Sequence, residues 1–462
     1  MIEENKSSMK NSVRRLIIAG IGVLIQIIWV VVLVMRLNQY SQIITLLTVA
    51  IELVLVLAVY SMDTNAAFKL PWIILITVAP IVGICVFFLF GGEAMQDLDF
   101  MHQALELAQR GRGWTSPNPM VGAVIVKDGR VIGRGYHRRC GQAHAERNAL
   151  ADCSESPEGA TLYVTLEPCC HQGRQPPCTD AILEAGIRRV VVGSGDPNPL
   201  VAGKGIAQLR ARGVEVTEHV LEEACTQLNR IFFHYIQTRR PYGALKYAMT
   251  LDGKIASYTG ASRWITGETA RAHVHTLRHQ YRAILVGVGT VLADDPLLTC
   301  RMPEGRNPVR VVCDTHLRTP LTARLVQTAR EVPTLLATCC SDRGRWAPYQ
   351  DAGCELLPLP QREGRVDLGA LLAELGKREI DSVLVEGGGT LNWSMLEQGL
   401  IQRVYAYVSP MLLGGREAKT PVGGPGFPSP DQALRLKDSQ ITRLGEDFLV
   451  EGEVDADVHG DR

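Results

Sequence analysis

Three residue types able to hold and use a metal ion gather in two short segments of this 462-residue chain. His144-Ala145-Glu146 puts an imidazole two residues before a carboxylate. Cys169 and Cys178 follow, within Glu167-Pro168-Cys169-Cys170-His171-Gln172-Gly173-Arg174-Gln175-Pro176-Pro177-Cys178. One imidazole and two thiolates suit zinc, and a catalytic zinc keeps its fourth position for water. Glu146 would sit near that water without binding the metal, placed to carry its proton to a departing amine. Cys170, adjacent to Cys169, is poorly placed as the second thiolate of a relaxed site. A lone His-Ala-Glu is usually a helix surface and a lone cysteine usually core. It is the ordered set that argues for chemistry.

A second candidate lies further on. The strand Ser382 to Glu386 runs into Gly387-Gly388-Gly389 and opens a helix over Thr390 to Gln398. Backbone N–H groups at a helix start, bare of side chains, make a place for a phosphate or pyrophosphate. Taken alone, such a turn is as often a plain connection. No Gly-x-Gly-x-x-Gly follows a first strand, and Gly287-x-Gly289 is too short a match, so a Rossmann reading is weak. Arg278 and Arg301 suit a phosphate by geometry and charge, or form surface ion pairs.

These groups need a scaffold, and the pattern is layered α/β. Asp97 or Asp99 can cap a helix carrying Met101, Leu105 and Ala108 on one face. Val121 to Val126 reads as a strand, Asp128-Gly129 as a tight turn and Arg130 to Gly135 as the returning strand. A helix from His144, a strand Thr161 to Leu166, a helix from Cys178, a strand Arg188 to Gly193, a helix Gly203 to Arg212 and a short strand near Val214 complete the first unit. Thr238-Arg239-Arg240-Pro241 is a connector, and the strand Tyr242 to Thr250 begins the second unit.

His-x-Glu with Pro-Cys is the signature of zinc deaminases. Those enzymes usually have Pro-Cys-x-x-Cys, whereas here the second cysteine falls nine residues after the first. That spacing, with Thr115-Ser116-Pro117-Asn118-Pro119 and Asp196-Pro197-Asn198-Pro199, resembles the deaminase half of the bifunctional riboflavin-biosynthesis deaminase-reductases. The resemblance implies a cytidine-deaminase-like three-layer α/β/α domain in which His144, Cys169 and Cys178 bind zinc and Glu146 shuttles protons. Asn118, His137 and His171 would line the pyrimidine pocket, although Asn118 between prolines could simply close a turn.

Leu251-Asp252-Gly253-Lys254-Ile255-Ala256, Ser262-Arg263-Trp264-Ile265-Thr266, Gly287 to Pro296 and Val385 to Leu391 resemble the reductase half, of dihydrofolate-reductase-like fold. By motif position Ala248, Trp264, Thr290, Asp294, Thr315 and Gly388, Gly389, Thr390, Leu391, Asn392, Trp393 and Ser394 would contact NADPH. Ser262, Arg278, Leu298, Arg301 and Glu386 would contact substrate. Met411 follows Ser409-Pro410 where the family usually has Lys. The implied activity is zinc-dependent deamination of 2,5-diamino-6-ribosylamino-4-pyrimidinone 5'-phosphate, then NADPH-dependent reduction of the ribosyl group to ribityl.

The rest of the chain bounds this reading. Forty-eight basic residues balance forty-eight acidic ones, which argues against a basic nucleic-acid binder. Hydrophobic residues at 46% exclude a disordered acidic chain. Twelve cysteines are too dilute for a disulfide scaffold, and Cys85 and Cys313 read as small core hydrophobes. Leu16 to Met35, Ile43 to Tyr60 and Leu70 to Phe90 are apolar runs near the ~20 residues of a membrane span, the second broken by Glu52. Asn65 to Ile73, Pro80-Ile81-Val82-Gly83 and Phe90-Gly91-Gly92 resemble the membrane-anchoring N-terminus of bacterial cardiolipin synthases. No His is followed two residues later by Lys, so that family's lipid chemistry is absent.

The expected organisation is therefore an anchor of two or three transmembrane helices over 1–94, a deaminase over 95–240, a reductase over 241–455 and a tail over 456–462. Lys6, Lys10, Arg14 and Arg15 place the N-terminus inside, and two spans would keep the enzyme domains in the cytoplasm. The expected partners are a phosphorylated pyrimidine and, through residues 16–90, a membrane, with no nucleic acid and with a homo-oligomer left open. The competing readings are a deaminase of another nucleobase substrate and a membrane scaffold carrying relic enzyme domains.

Overall fold

Short runs rich in Val, Ile and Leu alternate with helical segments from residue 92 onwards, and each run becomes a strand covered by helices. The computed structural model describes residues 38–61, 66–86, 92–173 and 175–455, with a few positions between 21 and 29. The first unit holds β1 (Gly122–Lys127), β2 (Arg130–Tyr136), β3 (Thr161–Leu166), β4 (Arg189–Ser194) and β5 (Glu215–Thr217). They form one sheet in the order β2-β1-β3-β4-β5. β2, β1 and β3 are antiparallel, while β3, β4 and β5 run parallel.

Alternation along β1 builds both cores. Ala123 and Ile125 pack with Ala145, Ala149, Ile182 and Leu209 on one face. Val124 and Val126 pack with Met101, Ala104 and Leu105 on the other. The three layers expected from the sequence are present. At the head of β1, a Cβ on Gly122 would lie 1.9 Å from the backbone oxygen of Ala104. Gly122→Ala therefore cannot be accommodated without separating helix from sheet, and a loss of roughly 1–3 kcal/mol is expected. Denaturant unfolding should show it; an unchanged midpoint would mean that the layers slide freely.

One expectation is corrected here. Neither Asp97 nor Asp99 caps a helix, because the helix already begins at Gly92 and runs to Gln109. Asp97 instead faces the sheet, where Arg189 donates to it at 2.8 and 2.6 Å and the Tyr163 hydroxyl at 2.8 Å. A buried carboxylate needs such partners.

The second unit comprises β6 (Tyr242–Thr250), β7 (Ala283–Gly287), β8 (Val309–Cys313), β9 (Thr334–Thr338), β10 (Glu355–Pro358), a ribbon of β11 (Gln361–Arg362) and β12 (Arg365–Val366), β13 (Ser382–Val385), β14 (Arg403–Ser409), β15 (Leu436–Leu444) and β16 (Asp447–Val454). Nine strands make one sheet, in the order β10-β9-β8-β7-β13-β6-β14-β16-β15. From β10 to β14 all neighbours are parallel, and β16 and β15 add an antiparallel edge. β13, late in the chain, inserts between β7 and β6, so their carboxyl ends open side by side. Ligand crevices of parallel sheets form at such places.

The two units meet through specific bonds. His279 donates from Nε2 to the Arg112 oxygen at 3.0 Å, and Tyr235 donates to the Gly376 oxygen at 3.0 Å.

Most of the first apolar run, and the basic cluster before it, lie outside the described residues. The second run lies in the helix Asn38–Ser61. The third, expected as one span, is two helices, Ala66–Val78 and Pro80–Val86, because Pro80 has no N–H with which to continue the ladder. At about 1.5 Å per residue they rise only about 20 and 10 Å. Among the described residues no helix is long and apolar enough to cross a membrane. Leu55, Val59 and Ile76 form a small core between them. Leu46, Leu47, Leu53, Val54, Leu57, Ile74 and Val78 remain exposed. Cys85, expected in a core, is exposed as well.

Candidate active site

Two helix starts build the first site. His144 has extended backbone, φ −73° and ψ 167°, immediately before the helix Ala145–Ala151, and Glu146 lies in that helix's first turn. Cys178 opens the helix Cys178–Glu184, tied down by N–H bonds from Cys178 and Thr179 to the Cys169 oxygen at 3.0 and 3.2 Å. The result is a cluster in which His144 Nδ1 lies 3.5 Å from Cys169 Sγ and 3.4 Å from Cys178 Sγ. Zinc bonds of about 2.3 Å to sulfur and 2.0–2.1 Å to nitrogen at tetrahedral angles put S and N about 3.5 Å apart. The spacing fits zinc, and so does the donor set. The hydrogen bond with Cys178 lowers the Cys169 thiol against the opposing effect of burial, and His144 lowers it further. Thiolate is the metal-binding form.

Glu146 is 4% exposed, lines the same cleft and is not one of the three ligand groups. Burial pushes its carboxyl up from the ordinary range, the state suited to holding and releasing a proton. The cleft, roughly 300 Å³, brings together Asn118, His137 and His171 as expected. Burial pushes the His137 ring down from its ordinary value. Its contacts assign the tautomer: Nδ1 donates to the Ala143 oxygen at 3.1 Å, and Nε2 accepts from Asn118 Nδ2 at 3.3 Å. Asn118 is therefore part of the site rather than only a turn. His171 Nδ1 is buried without a hydrogen-bond partner among the described residues.

Two acids escaped the sequence reading. Glu167 accepts from the N–H groups of Gly203, Gly205 and Ile206 at 2.9, 3.0 and 3.3 Å. It anchors the next helix behind the cleft. Asp196 lines the cleft, and burial pushes its carboxyl up to about 6. The quoted Asp196-Pro197-Asn198-Pro199 motif was the signal for it. Cys170 is directed elsewhere, its Sγ 3.9 Å from the Leu200 oxygen.

The second site opens at the carboxyl ends of β7, β13 and β6, as a cleft of about 500 Å³ joined to one of about 290 Å³. The larger contains Ala248, Ser262, Trp264, Arg278, Leu298, Arg301, Glu386 and Asn392. The smaller contains Gly389, Thr390 and Leu391, and Thr290, Asp294 and Gly388 line both. Thr315, Trp393 and Ser394 line neither. Thr315 Oγ1 accepts from the Val366 N–H, and Trp393 is buried against Phe427.

The glycine turn divides its work. A Cβ on Gly389 would lie 2.9 Å from the Thr420 oxygen, and one on Gly387 would lie 2.7 Å from Leu391. Only Gly388 faces open space, its nearest neighbour Thr290 Oγ1 at 3.8 Å. Packing thus explains two of the three glycines, and access the third.

Arg278 and Glu386, both expected at substrate, bind each other. Nε and Nη2 of Arg278 donate to the two carboxylate oxygens at 2.8 and 2.9 Å. Arg278 Nη1 also donates to the Thr299 oxygen at 3.1 Å. Lys246, missed in the sequence because a lone Lys on a strand carries no signal, lies 3.5 Å from Glu386 and 5.7 Å from the Tyr407 ring centre. Burial raises the Glu386 carboxyl, yet Arg278 and Lys246 overcome it and hold it at about 2. Arg301 Nε is 3.2 Å from His275 Nε2, and its side chain is exposed at the mouth.

Comparison with known proteins agrees with this division. Residues 94–194 match the cytidine and deoxycytidylate deaminase zinc-binding region, and residues 241–450 match the RibD C-terminal domain. The chain is 55% identical over 359 residues to the riboflavin biosynthesis protein RibD of Actinobacillus pleuropneumoniae, covering 78% of this chain and 96% of that protein. Its counterpart from Escherichia coli is 42% identical, with 77% and 99% covered. A solved structure of Acinetobacter baumannii RibD superimposes with a TM-score of 0.71 at 39% identity, over 78% of this chain and 99% of that one. A deaminase-reductase from Thermotoga maritima gives 0.70 at 39% identity, over 79% and 100%.

Proposed function

This chain belongs to the RibD family of riboflavin-biosynthesis deaminase-reductases, and from that premise we propose how its two clefts divide the work. It is a bifunctional enzyme with a zinc-binding deaminase domain and an NADPH-dependent reductase domain. The first cleft deaminates 2,5-diamino-6-ribosylamino-4-pyrimidinone 5'-phosphate, and the second reduces the ribosyl group of the product to ribityl. The observation that carries this reading is the meeting of His144, Cys169 and Cys178 beside a buried Glu146.

His144, Cys169 and Cys178 hold the zinc, which when bound supplies Lewis-acid activation of water. Glu146 accepts a proton at its carboxylate and hands it to the departing amine. With Asn118 Nδ2 engaged by His137 Nε2, the Asn118 oxygen is left to accept from an N–H of the pyrimidine. His171 offers Nδ1 to the same ring.

In the reductase cleft NADPH supplies hydride. Its phosphates suit the smaller, glycine-lined lobe at Gly388 and Gly389, and its reactive end suits the larger lobe near Ala248 and Trp264. Arg278 orients Glu386, and Lys246 Nζ stands beside the same carboxylate in the larger lobe. Arg301 stands at the mouth for the substrate phosphate.

Residues 16–90 hold the chain at a membrane with both enzyme units facing the cytoplasm. The support is the apolar surface that the helices Asn38–Ser61 and Ala66–Val78 leave exposed. Every group named in either cleft lies beyond Met95. A chain cut to 95–462 should therefore release ammonia and oxidise NADPH at near full-length rates, while losing sedimentation with membranes. An inactive or aggregated 95–462, beside active full-length protein in detergent, would make the N-terminal segment part of the fold.

A further inference from the structure

The deaminase cleft is not closed by its own domain. Asn118, His137 and Glu146 line it from the deaminase unit. Tyr235 on the helix Arg230–Thr238, Arg239 just after it, and Glu379 from the reductase unit line it as well. Glu146, Glu167, Asp196 and Glu379 all line the cleft, and among the described residues Arg239 is its one Lys or Arg. A phosphate ester needs a cation, and a guanidinium suits phosphate best.

The reductase unit also fixes where this cation stands. Arg239 ends its helix in the left-handed conformation, φ 56°, with its N–H donating to the Tyr235 oxygen at 2.8 Å. Gly376 presses against it so closely that a Cβ there would lie 2.1 Å from the Arg239 oxygen. The Tyr235 hydroxyl bonds the Gly376 oxygen at 3.0 Å and locks the seam. The Arg239 side chain is exposed, with its guanidinium carbon 6.0 Å from the Tyr235 ring centre.

We propose that Arg239 binds the phosphate of the deaminase substrate, and that the reductase unit completes the deaminase cleft by holding it in place. This deepens the deaminase reading above and rests on it. Joining the two activities in one chain then serves the first reaction as well as the second.

The test is Arg239→Ala in the full-length zinc enzyme, with ammonia release measured on the phosphorylated substrate and on its dephosphorylated nucleoside. KM for the phosphate ester should rise about 10- to 100-fold, with kcat within a few-fold, and the nucleoside KM should not move. Arg239→Lys should recover part of the loss, as a point charge without the planar fork. An equal rise for both compounds would mean a structural role and overturn the proposal. So would wild-type kinetics in Arg239→Ala together with a phosphate-dependent rise in Arg174→Ala. Wild-type protein that releases no ammonia from either compound would overturn the deaminase reading, and this inference with it.

Discussion

Glu146→Gln should lower ammonia release by roughly 10²- to 10⁴-fold and leave zinc bound. Gln keeps the shape and a hydrogen-bonding oxygen but cannot take up and return a proton. Glu146 is buried in the first turn of the helix that follows His144, and it is outside the His144, Cys169 and Cys178 ligand cluster. The variant should therefore bind one zinc per chain, melt like wild type and oxidise NADPH normally when given deaminated substrate. Metal content, ammonia and NADPH absorbance report these separately. Loss of zinc would make Glu146 a ligand, and wild-type ammonia release would remove it from the mechanism.

Glu386→Ala should be the most damaging change to the second cleft. It strands two cations, Arg278 and Lys246, whose side chains are only 13% and 14% exposed. Breaking a buried pair from one side costs about 3–5 kcal/mol, on the order of 10 °C in the melting of a domain this size. NADPH oxidation should be lost with it, while ammonia release survives below the melt, because Glu386 does not line the deaminase cleft. The pH dependence follows from the same pairing. The carboxyl is held at about 2 in the folded protein against an ordinary 4.5, so its stabilisation is fully present above about pH 4.5 and is lost as pH falls towards 2. Wild type should lose this increment in acid, and Glu386→Ala has none to lose. A variant that melts like wild type at pH 7 would mean that Arg278 finds other partners.

The parts of this protein legible in the chain are those set by neighbours in sequence. His144 and Glu146 share a helix start, and Cys178 returns to Cys169 from nine positions further on. Continuous apolar runs wrote the central strands of the first unit, which are buried on both faces because successive side chains point to opposite sides of the sheet. The family motifs carried most of the reductase positions into one crevice.

Pairings across distance had no such signature. Asp97 resembles a helix cap in sequence, and only the sheet beneath it reveals Arg189 and Tyr163 as its partners. Arg278 and Glu386 were each legible as site residues, but their mutual bond is made 108 positions apart. Lys246 became visible only when β13 came to lie beside β6. Glycines 387 to 389 read alike, yet the loop at Thr420 and the side chain of Leu391 claim two of them and leave Gly388 to the cleft. Arg239 read as part of a connector until Gly376 packed against its backbone and the cleft took it in with Glu379. Local spacing decides which side chains share an element. Which charges meet is decided by the packing of elements, where a buried ion must find its partner wherever the fold brings one.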